Sequence, residues 1–171
     1  MQNHFELFQL PQNFVIDSAA LDAAYREVQG QVHPDKFVNA SDADRRVAMQ
    51  WATRANEAYQ TLKNPLKRAG YLCELNGIDL NVETNTTMPA EFLLQQMEWR
   101  EALQEALAEK NLAAVEELKS DLHSMCGKQK RQLAQLLQAQ DFENAAQRIR
   151  EWMFLEKFGD ELRAACDALD N

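Results

Sequence analysis

The amino-acid sequence predicts an all-α protein on three observations. Glycine and proline are scarce, with 5 and 4 copies in 171 residues, whereas the helix formers Ala, Leu, Gln and Glu are abundant. Runs of β-branched residues that could form strands are few. Apolar residues recur every three or four positions along most of the chain, as on the buried face of an amphipathic helix.

The first two helices have clear start and stop signals. Residues 3–8 predict one short helical turn, and a second helix begins after Asp17 or Ser18, either of which can cap its first amides. This helix ends at His33, because Pro34 crowds the residue before it out of the helical conformation. Its apolar stripe consists of Leu21, Tyr25, Val28 and Val32.

A third helix and a short fourth helix complete the first part of the chain. The third begins near Ser41 and ends at Asn64, which precedes a proline. Small residues on its buried face allow the second and third helices to pack closely as an antiparallel hairpin. The expected buried residues are Ala48, Ala52, Ala55, Tyr59 and Leu62. The fourth helix runs from Leu66 to Asn76, and Gly77 provides a left-handed cap.

Residues 78–88 lose the helical period and gather Asn, Thr and Asp, which favour turns. We therefore predict a first domain at 1–76, a linker at 77–88 and a second domain at 89–171. The second domain contains three amphipathic segments, at about 89–109, 112–139 and 142–169. Their connections are short, at Lys110-Asn111 and Gln140-Asp141, so the segments predict a three-helix bundle capped by Asn111 and Asp141.

The net charge of −9 is concentrated in the second part of the chain. Residues 1–76 carry 8 basic and 9 acidic groups, whereas residues 77–171 carry 10 and 18. Nucleic acids and anionic membranes bind basic surfaces, so we expect neither as a partner. The acidic surface either keeps the protein in solution or faces a basic protein.

The sequence also predicts the compartment and the absence of bound metal. The three cysteines are far apart and form no metal-binding pair, so we expect no metal and no cofactor. No segment has the composition of a signal peptide or the length of a membrane span. We therefore expect a cytoplasmic protein.

The run His33-Pro34-Asp35-Lys36-Phe37 lies between the two hairpin helices and is the main candidate site. Its proline places the polar side chains of His33 and Asp35 in an exposed loop. One interpretation is an ordinary helix stop, and another is an acid–base enzyme site. The enzyme interpretation lacks a nucleophile, a glycine-rich phosphate loop and a second histidine nearby. The third interpretation is a contact with another protein.

Two resemblances favour the contact with another protein. A hairpin with HPDKF in its loop, a short aromatic turn before it and Arg26 on the exposed face resembles the J domain of DnaJ-type co-chaperones over residues 1–76. The blocks TLKNPLKRAGYLCELNG at 61–77 and EFLLQQMEWREAL at 91–103 are similar to the HscB family, the J proteins of bacterial iron–sulfur cluster assembly. With the acidic bundle, this second resemblance covers nearly the whole chain.

The resemblance implies a co-chaperone that is not itself an enzyme. Its J domain would dock on HscA, a DnaK-class chaperone, and stimulate the ATPase of that partner. Its C-terminal domain would bind the scaffold protein IscU and present it. The implied chaperone-binding residues are Arg26, His33, Pro34, Asp35 and Lys36. The implied scaffold-binding residues are Leu93, Leu94, Met97, Glu98, Glu101 and Phe154.

Three alternatives remain open at this point. Leu, Met and Phe at helical spacing are also typical of a bundle core, to which we assign Trp99 and Trp152. The chain could also be a J protein that serves another client, or an acid–base enzyme that uses His33 and Asp35.

The sequence departs from typical J domains in one respect. Their second helix is usually rich in Lys and Arg, whereas this helix offers Arg26 beside Glu27 and Gln29. This difference predicts one dedicated chaperone partner rather than general DnaK chaperones.

Overall fold

The computed structural model describes residues 1–81 and 87–171, and within those ranges it contains helices and no strand. The all-α prediction is confirmed. The elements are α1 His4–Leu7, α2 Ser18–Gln31, a 3-10 turn Pro34–Phe37, α3 Asp42–Lys63, α4 Pro65–Leu75, α5 Ala90–Ala108, α6 Leu112–Gln138 and α7 Phe142–Leu169. None of the described helices is long and apolar enough to cross a membrane.

The chain divides into two compact units, Met1–Leu75 and Asn76–Asn171. The predicted division at 1–76, 77–88 and 89–171 stays a prediction, and residues 82–86 of its linker lie outside the described residues. Two described residues of that segment, Leu80 and Met88, are buried. The Leu80 carbonyl accepts a hydrogen bond from Arg150 of α7 at 3.1 Å, so part of the predicted linker packs within the second unit.

The predicted caps are present at the helix starts. Asp17 accepts hydrogen bonds from the amides of Ala19 and Ala20, so it and not Ser18 is the cap of α2. Ser41 accepts from the amide of Asp44 at 3.1 Å. Side-chain oxygens of this kind satisfy amides that have no partner inside the helix. The boundaries of α2 and α3 therefore follow from local sequence.

Polar contacts between α2 and α3 define the antiparallel hairpin. The Tyr25 hydroxyl donates to Asn56 at 3.2 Å, and the Tyr59 hydroxyl donates to Asp22 at 2.8 Å. Lys63 also donates to Asp22, at 2.9 Å. These bonds to the Asp22 carboxylate, that of Lys63 above all, lower the pKa of Asp22. The tyrosine rings of Tyr25 and Tyr59 stack with centroids 4.1 Å apart.

The prediction for the buried face of α3 is partly wrong. Ala48, Ala55 and Leu62 are buried as expected, but Ala52 is exposed. Tyr59 is half-buried, and Ala52 is exposed although Ala48 and Ala55, one turn to either side of it, are buried. Helical spacing alone does not show how wide a stripe the neighbouring helices cover.

Arg68 connects α4 to the rest of the first unit. Its side chain is buried, and it donates to the carbonyls of Phe14 at 2.6 Å and Leu62 at 2.7 Å. Its guanidinium also lies 5.0 Å from the centroid of the Phe14 ring. The arginine thus joins the loop before α2 to the end of α3. This contact gives a structural reason for an arginine within the block at 61–77.

The α1 helix packs on α4 through His4 and Tyr71. Their rings stack with centroids 4.3 Å apart, and the His4 amide donates to the Tyr71 hydroxyl at 3.0 Å. Burial lowers the pKa of the His4 imidazole, and the nearby Arg54 lowers it further, while Glu57 raises it. The folded first unit therefore favours a neutral His4.

This lowered pKa predicts that acid weakens the first unit. The unfolded chain binds a proton at His4 more readily than the folded chain, so stability rises with pH. The contribution of His4 is complete above its ordinary pKa of about 6.5 and is lost as the pH falls through the lowered folded-state value. Thermal unfolding at pH 7.5 and pH 5.0 should show a larger loss for the parent chain than for His4→Gln. Equal losses would contradict the assignment.

The second unit is a three-helix bundle with two connections of the same design. In each, a residue in the left-handed conformation follows the helix, Lys110 at φ 52° and Gln140 at φ 59°. The backbone amide of the next residue then donates to a carbonyl near the end of the preceding helix. Asn111 donates to the Ala106 carbonyl at 2.8 Å, and Asp141 donates to the Leu136 carbonyl at 2.9 Å. The side chains of Asn111 and Asp141 then cap the following helix, as predicted.

The bundle core is apolar and includes both tryptophans assigned to it. Trp99 and Trp152 are buried, and the Trp99 ring stacks on Phe158 with centroids 5.6 Å apart. The largest fully buried aliphatic residues described in the unit are Val115, Leu133, Ile149, Leu155 and Leu162. Three polar residues described in this unit are also buried, Gln96, Gln129 and Glu151. The side-chain amide of Gln96, on α5, has no hydrogen-bond partner.

Two glycines in the bundle helices should respond differently to alanine. A β-carbon on Gly127 would contact only the Arg131 side chain, at 3.5 Å, so Gly127→Ala should stabilise α6. We expect about 1 kcal/mol and a rise of about 2–4 °C in the unfolding midpoint. A β-carbon on Gly159 would lie 3.3 Å from Leu122 Cδ2, so Gly159→Ala should cancel or reverse this gain. Thermal unfolding of both variants tests the contrast, and a destabilised Gly127→Ala would contradict it.

Candidate functional site

The loop between α2 and α3 holds His33 and Asp35 in a fixed relation. His33 caps the 3-10 turn, and its Nδ1 accepts a hydrogen bond from the Asp35 amide at 3.2 Å. The Lys36 amide donates to the His33 carbonyl at 3.0 Å. Pro34 occupies the first position of the turn, where its missing amide hydrogen leaves no bond unmade. The side chains of His33 and Asp35 are 58% and 88% exposed.

This arrangement determines which atoms face outward. Because His33 Nδ1 accepts the Asp35 amide hydrogen, the proton of the neutral imidazole is on Nε2. Nε2 is therefore an available donor, and the Asp35 carboxylate is an available acceptor. Its Oδ2 lies 3.6 Å from His33 Nδ1. An exposed donor and an exposed acceptor held side by side suit hydrogen bonds to another macromolecule.

The cations implied for this site are also at the surface. Arg26 and Lys36 are exposed, and Arg26 precedes His33 by seven residues, which is about two helical turns. The loop and the outer face of α2 can therefore be approached together. Within the described ranges, no group of three His, Cys, Asp or Glu side chains could hold a metal ion.

A second candidate surface lies on α5. Leu93, Leu94 and Met97 are 47%, 58% and 59% exposed, and we call these three residues the apolar patch. The structure places them outside the core, so assigning them to the bundle interior is wrong. Glu98 and Glu101 on the same helix are exposed beside them. Exposed apolar side chains rimmed by charge are typical of protein-binding surfaces.

Phe154, the sixth residue implied for this surface, is half-buried on α7. Lys157 lies over its ring, with Nζ 5.6 Å from the centroid. Helices α5 and α7 are adjacent here, because Trp99 stacks on Phe158, one turn after Phe154. Phe154 therefore lies on the helix that flanks the apolar patch.

Arg100 borders this region and was not singled out from the sequence. It donates to Glu161 of α7 at 2.8 Å, and its guanidinium lies 5.5 Å from the Phe158 ring centroid. The pair joins α5 to α7 next to the patch. The two residues are 61 positions apart, so no local pattern could predict the contact.

A J-type helical hairpin with an exposed His-Pro-Asp loop, joined to an acidic three-helix bundle, defines a J-domain co-chaperone. Comparison with known proteins identifies its family. The co-chaperone HscB homologue of Burkholderia thailandensis is 50% identical over 169 residues, which cover 99% of this chain and 97% of the relative. The homologue of Burkholderia multivorans is 49% identical over 168 residues, 98% of this chain and 96% of the relative. The chain belongs to the HscB family of co-chaperones, which confirms the resemblance found in the sequence.

Solved structures and a family model agree with this assignment. The chaperone HscB from Vibrio cholerae has a TM-score of 0.86 at 37% identity and covers 98% of this chain and 99% of its own. The crystal structure of the human co-chaperone protein HscB has a TM-score of 0.90 at 28% identity, with 96% of this chain and 82% of that chain covered. The family model described as the HSCB C-terminal oligomerisation domain matches residues 88–163.

Proposed function

We propose that this chain stimulates the ATPase of HscA, a DnaK-class chaperone, and delivers the scaffold protein IscU to it. This activity supports the maturation of iron–sulfur proteins in the cytoplasm. One observation carries the proposal: the chain presents two separate kinds of exposed surface, the polar His33–Asp35 loop in the first unit and the apolar patch in the second. Two surfaces of different chemistry suit an adaptor with two different partners.

The action on HscA is allosteric in this proposal. The chain supplies no bond-making group to ATP. HscA has a conformation that hydrolyses ATP and one that does not, and the chain binds the first more tightly than the second. This preference shifts the equilibrium toward the hydrolysing conformation. His33 Nε2 and the Asp35 carboxylate contribute hydrogen bonds to that interface. Arg26 and Lys36 contribute complementary charge, which raises the association rate more than the affinity.

The scaffold partner binds the other surface. Leu93, Leu94 and Met97 lose water on contact, and Phe154 extends the apolar area from α7. Burying one such side chain fully is worth about 1.5–3 kcal/mol. Glu98 and Glu101 orient the partner through basic groups on its surface.

Steady-state ATPase assays with purified HscA test the proposal. We expect no ATP turnover by the chain alone, stimulation of HscA when it is added, and further stimulation with IscU. General DnaK should respond less, because α2 offers few cations. A chain that leaves HscA unchanged at saturating concentration would refute the proposal, and equal affinity for DnaK and HscA would refute the dedication to one partner.

A further inference from the structure

The outer face of α6 carries an ordered row of polar side chains. Glu117, Asp121, Ser124, Lys128 and Arg131 follow one another at spacings of three or four residues, so they share one side of the helix. All five are exposed, and we call them the charged stripe. The buried residues of α6 lie on the opposite side. The charged stripe therefore faces away from the bundle core.

The two halves of the charged stripe have opposite signs. Glu117 and Asp121 are one turn apart, and so are Lys128 and Arg131, and like charges at this spacing weaken a helix. Among the residues that the structure describes, none of these four has an ion-pair partner. The helix dipole does not explain the arrangement, because its effect falls off within the first and last turns and all four residues lie further inside α6. A partner with the opposite charge pattern would relieve the repulsion.

A second copy of α6 that runs in the opposite direction has this pattern. Glu117 and Arg131 are each seven residues from Ser124, and Asp121 and Lys128 are three and four residues from it. A two-fold axis at Ser124 therefore puts Glu117 level with Arg131 of the second copy, and Asp121 level with Lys128 of the second copy. Each pair of opposite charges occurs twice in such a contact. The charged stripe is thus complementary to itself.

The middle of the charged stripe leaves room for a second helix. Ser120 and Gly127, on the same side of α6, are small, and a β-carbon added at Gly127 would contact only the Arg131 side chain, at 3.5 Å. Beside the stripe, a groove of about 430 Å³ lies between α6 and α5, where Gln95 and Trp99 line it. The long alkyl portions of lysine and arginine side chains can cover apolar surface while their charged ends stay in water. The groove therefore offers space for the basic side chains of a second copy.

We propose that α6 binds α6 of a second copy of this chain, antiparallel and around a two-fold axis at Ser124. The pairs Glu117 with Arg131 and Asp121 with Lys128 form between the copies. The dimer is weak, because each exposed ion pair contributes little and both chains carry a net charge of −9. The charged stripe includes none of the residues proposed to bind HscA or IscU, so self-association does not depend on either partner.

Charge reversal in the full chain tests this pairing. Asp121→Lys and Lys128→Asp each bring like charges together in a dimer of identical copies, so each should raise the dimer dissociation constant at least about tenfold. In an equimolar mixture the two variants present opposite charges to each other, so the mixed dimer should form about as well as the parent dimer. Sedimentation equilibrium at one ionic strength measures all of these dissociation constants.

Lys130→Asp is the matched control. Lys130 is exposed on α6, but it is two residues from Lys128 and so points about 200° away around the helix axis. The variant changes the net charge as Lys128→Asp does, and it should change the dissociation constant less than about twofold. Asp121→Lys makes the chain less negative, so a general decrease in repulsion would strengthen its association, which is opposite to the expected effect.

Three results would overturn the inference. The first is a parent chain that stays monomeric at millimolar concentration, and the second is an equal effect of Lys128→Asp and Lys130→Asp. The third is a mixture of Asp121→Lys and Lys128→Asp that fails to associate although both variants keep the helix content of the parent. If either single variant fails to fold, the chain that carries both substitutions replaces the mixture. It should dimerise like the parent, and a monomeric double variant would also overturn the inference.

Discussion

His33→Gln should reduce the stimulation of HscA by at least about tenfold and leave the fold intact. The imidazole of His33 is held by the Asp35 amide, which leaves Nε2 as a rigid outward donor. Glutamine has an amide donor on a longer, flexible chain that this contact does not orient. We expect Nε2 to donate to a charged acceptor on HscA, and the loss of such a hydrogen bond costs about 1.5–3 kcal/mol, which is more than tenfold in binding. Steady-state ATPase assays over a range of chain concentrations measure the effect.

Stability should not change in this variant, because the His33 side chain is 58% exposed and water can satisfy the Asp35 amide. His123→Gln is the matched control, since His123 is an exposed histidine on α6 of the second unit. It should stimulate HscA like the parent chain. Normal stimulation by His33→Gln at every concentration would remove the loop from the proposed mechanism.

The helix boundaries were predictable because their causes are local. Asp17, Ser41, Asn111 and Asp141 each accept an amide hydrogen from a residue two or three positions later, and Pro34 stops α2 whatever its surroundings. The same locality made the His33–Asp35 loop visible in the sequence. Its hydrogen bonds, from the Asp35 and Lys36 amides to His33, join residues at most three positions apart.

The orientation of α5 was not predictable in the same way. Phe92, Gln96 and Trp99 point inward, and Leu93, Leu94 and Met97 point outward, yet both groups have helical spacing and apolar members. The polar residue of the buried set is Gln96, so hydrophobic patterning favours neither face. The contacts of α5 with α6 and α7, such as the stacking of Trp99 on Phe158, determine which side of α5 is covered. The resemblance to HscB named the patch, but the sequence alone could not show that it is exposed.

Contacts between residues far apart in the sequence could not be predicted either. Arg68 with Phe14, His4 with Tyr71 and Arg100 with Glu161 each join residues at least 54 positions apart. Such pairs depend on how whole helices are arranged, and no periodicity or cap encodes them. The exposure of Ala52 could not be predicted either, because Ala48 and Ala55 on either side of it are buried.

Replacing Leu94 and Met97 together by alanine should weaken binding of IscU about 10–100-fold without unfolding the bundle. The two side chains are 58% and 59% exposed, so their removal leaves no cavity in the core. In a complex they lose water, and each would contribute on the order of 1 kcal/mol of burial. Isothermal titration of IscU into the purified chain measures the affinity, and far-ultraviolet circular dichroism measures the helix content.

Leu107→Ala is the matched control for this double variant. It tests whether IscU affinity depends on the apolar patch itself or on any exposed apolar residue of α5. Leu107 is 38% exposed on the last turns of the same helix, more than two turns from Met97, and its truncation should change IscU affinity less than about twofold. The double variant should still stimulate HscA in the absence of IscU, because the His33–Asp35 loop belongs to the other unit. If the double variant instead lost helix content, Leu94 and Met97 would have a structural role that their exposure does not predict. If it bound IscU like the parent, the scaffold surface would have to lie elsewhere on the second unit, and the two-surface mechanism would lose its second partner site.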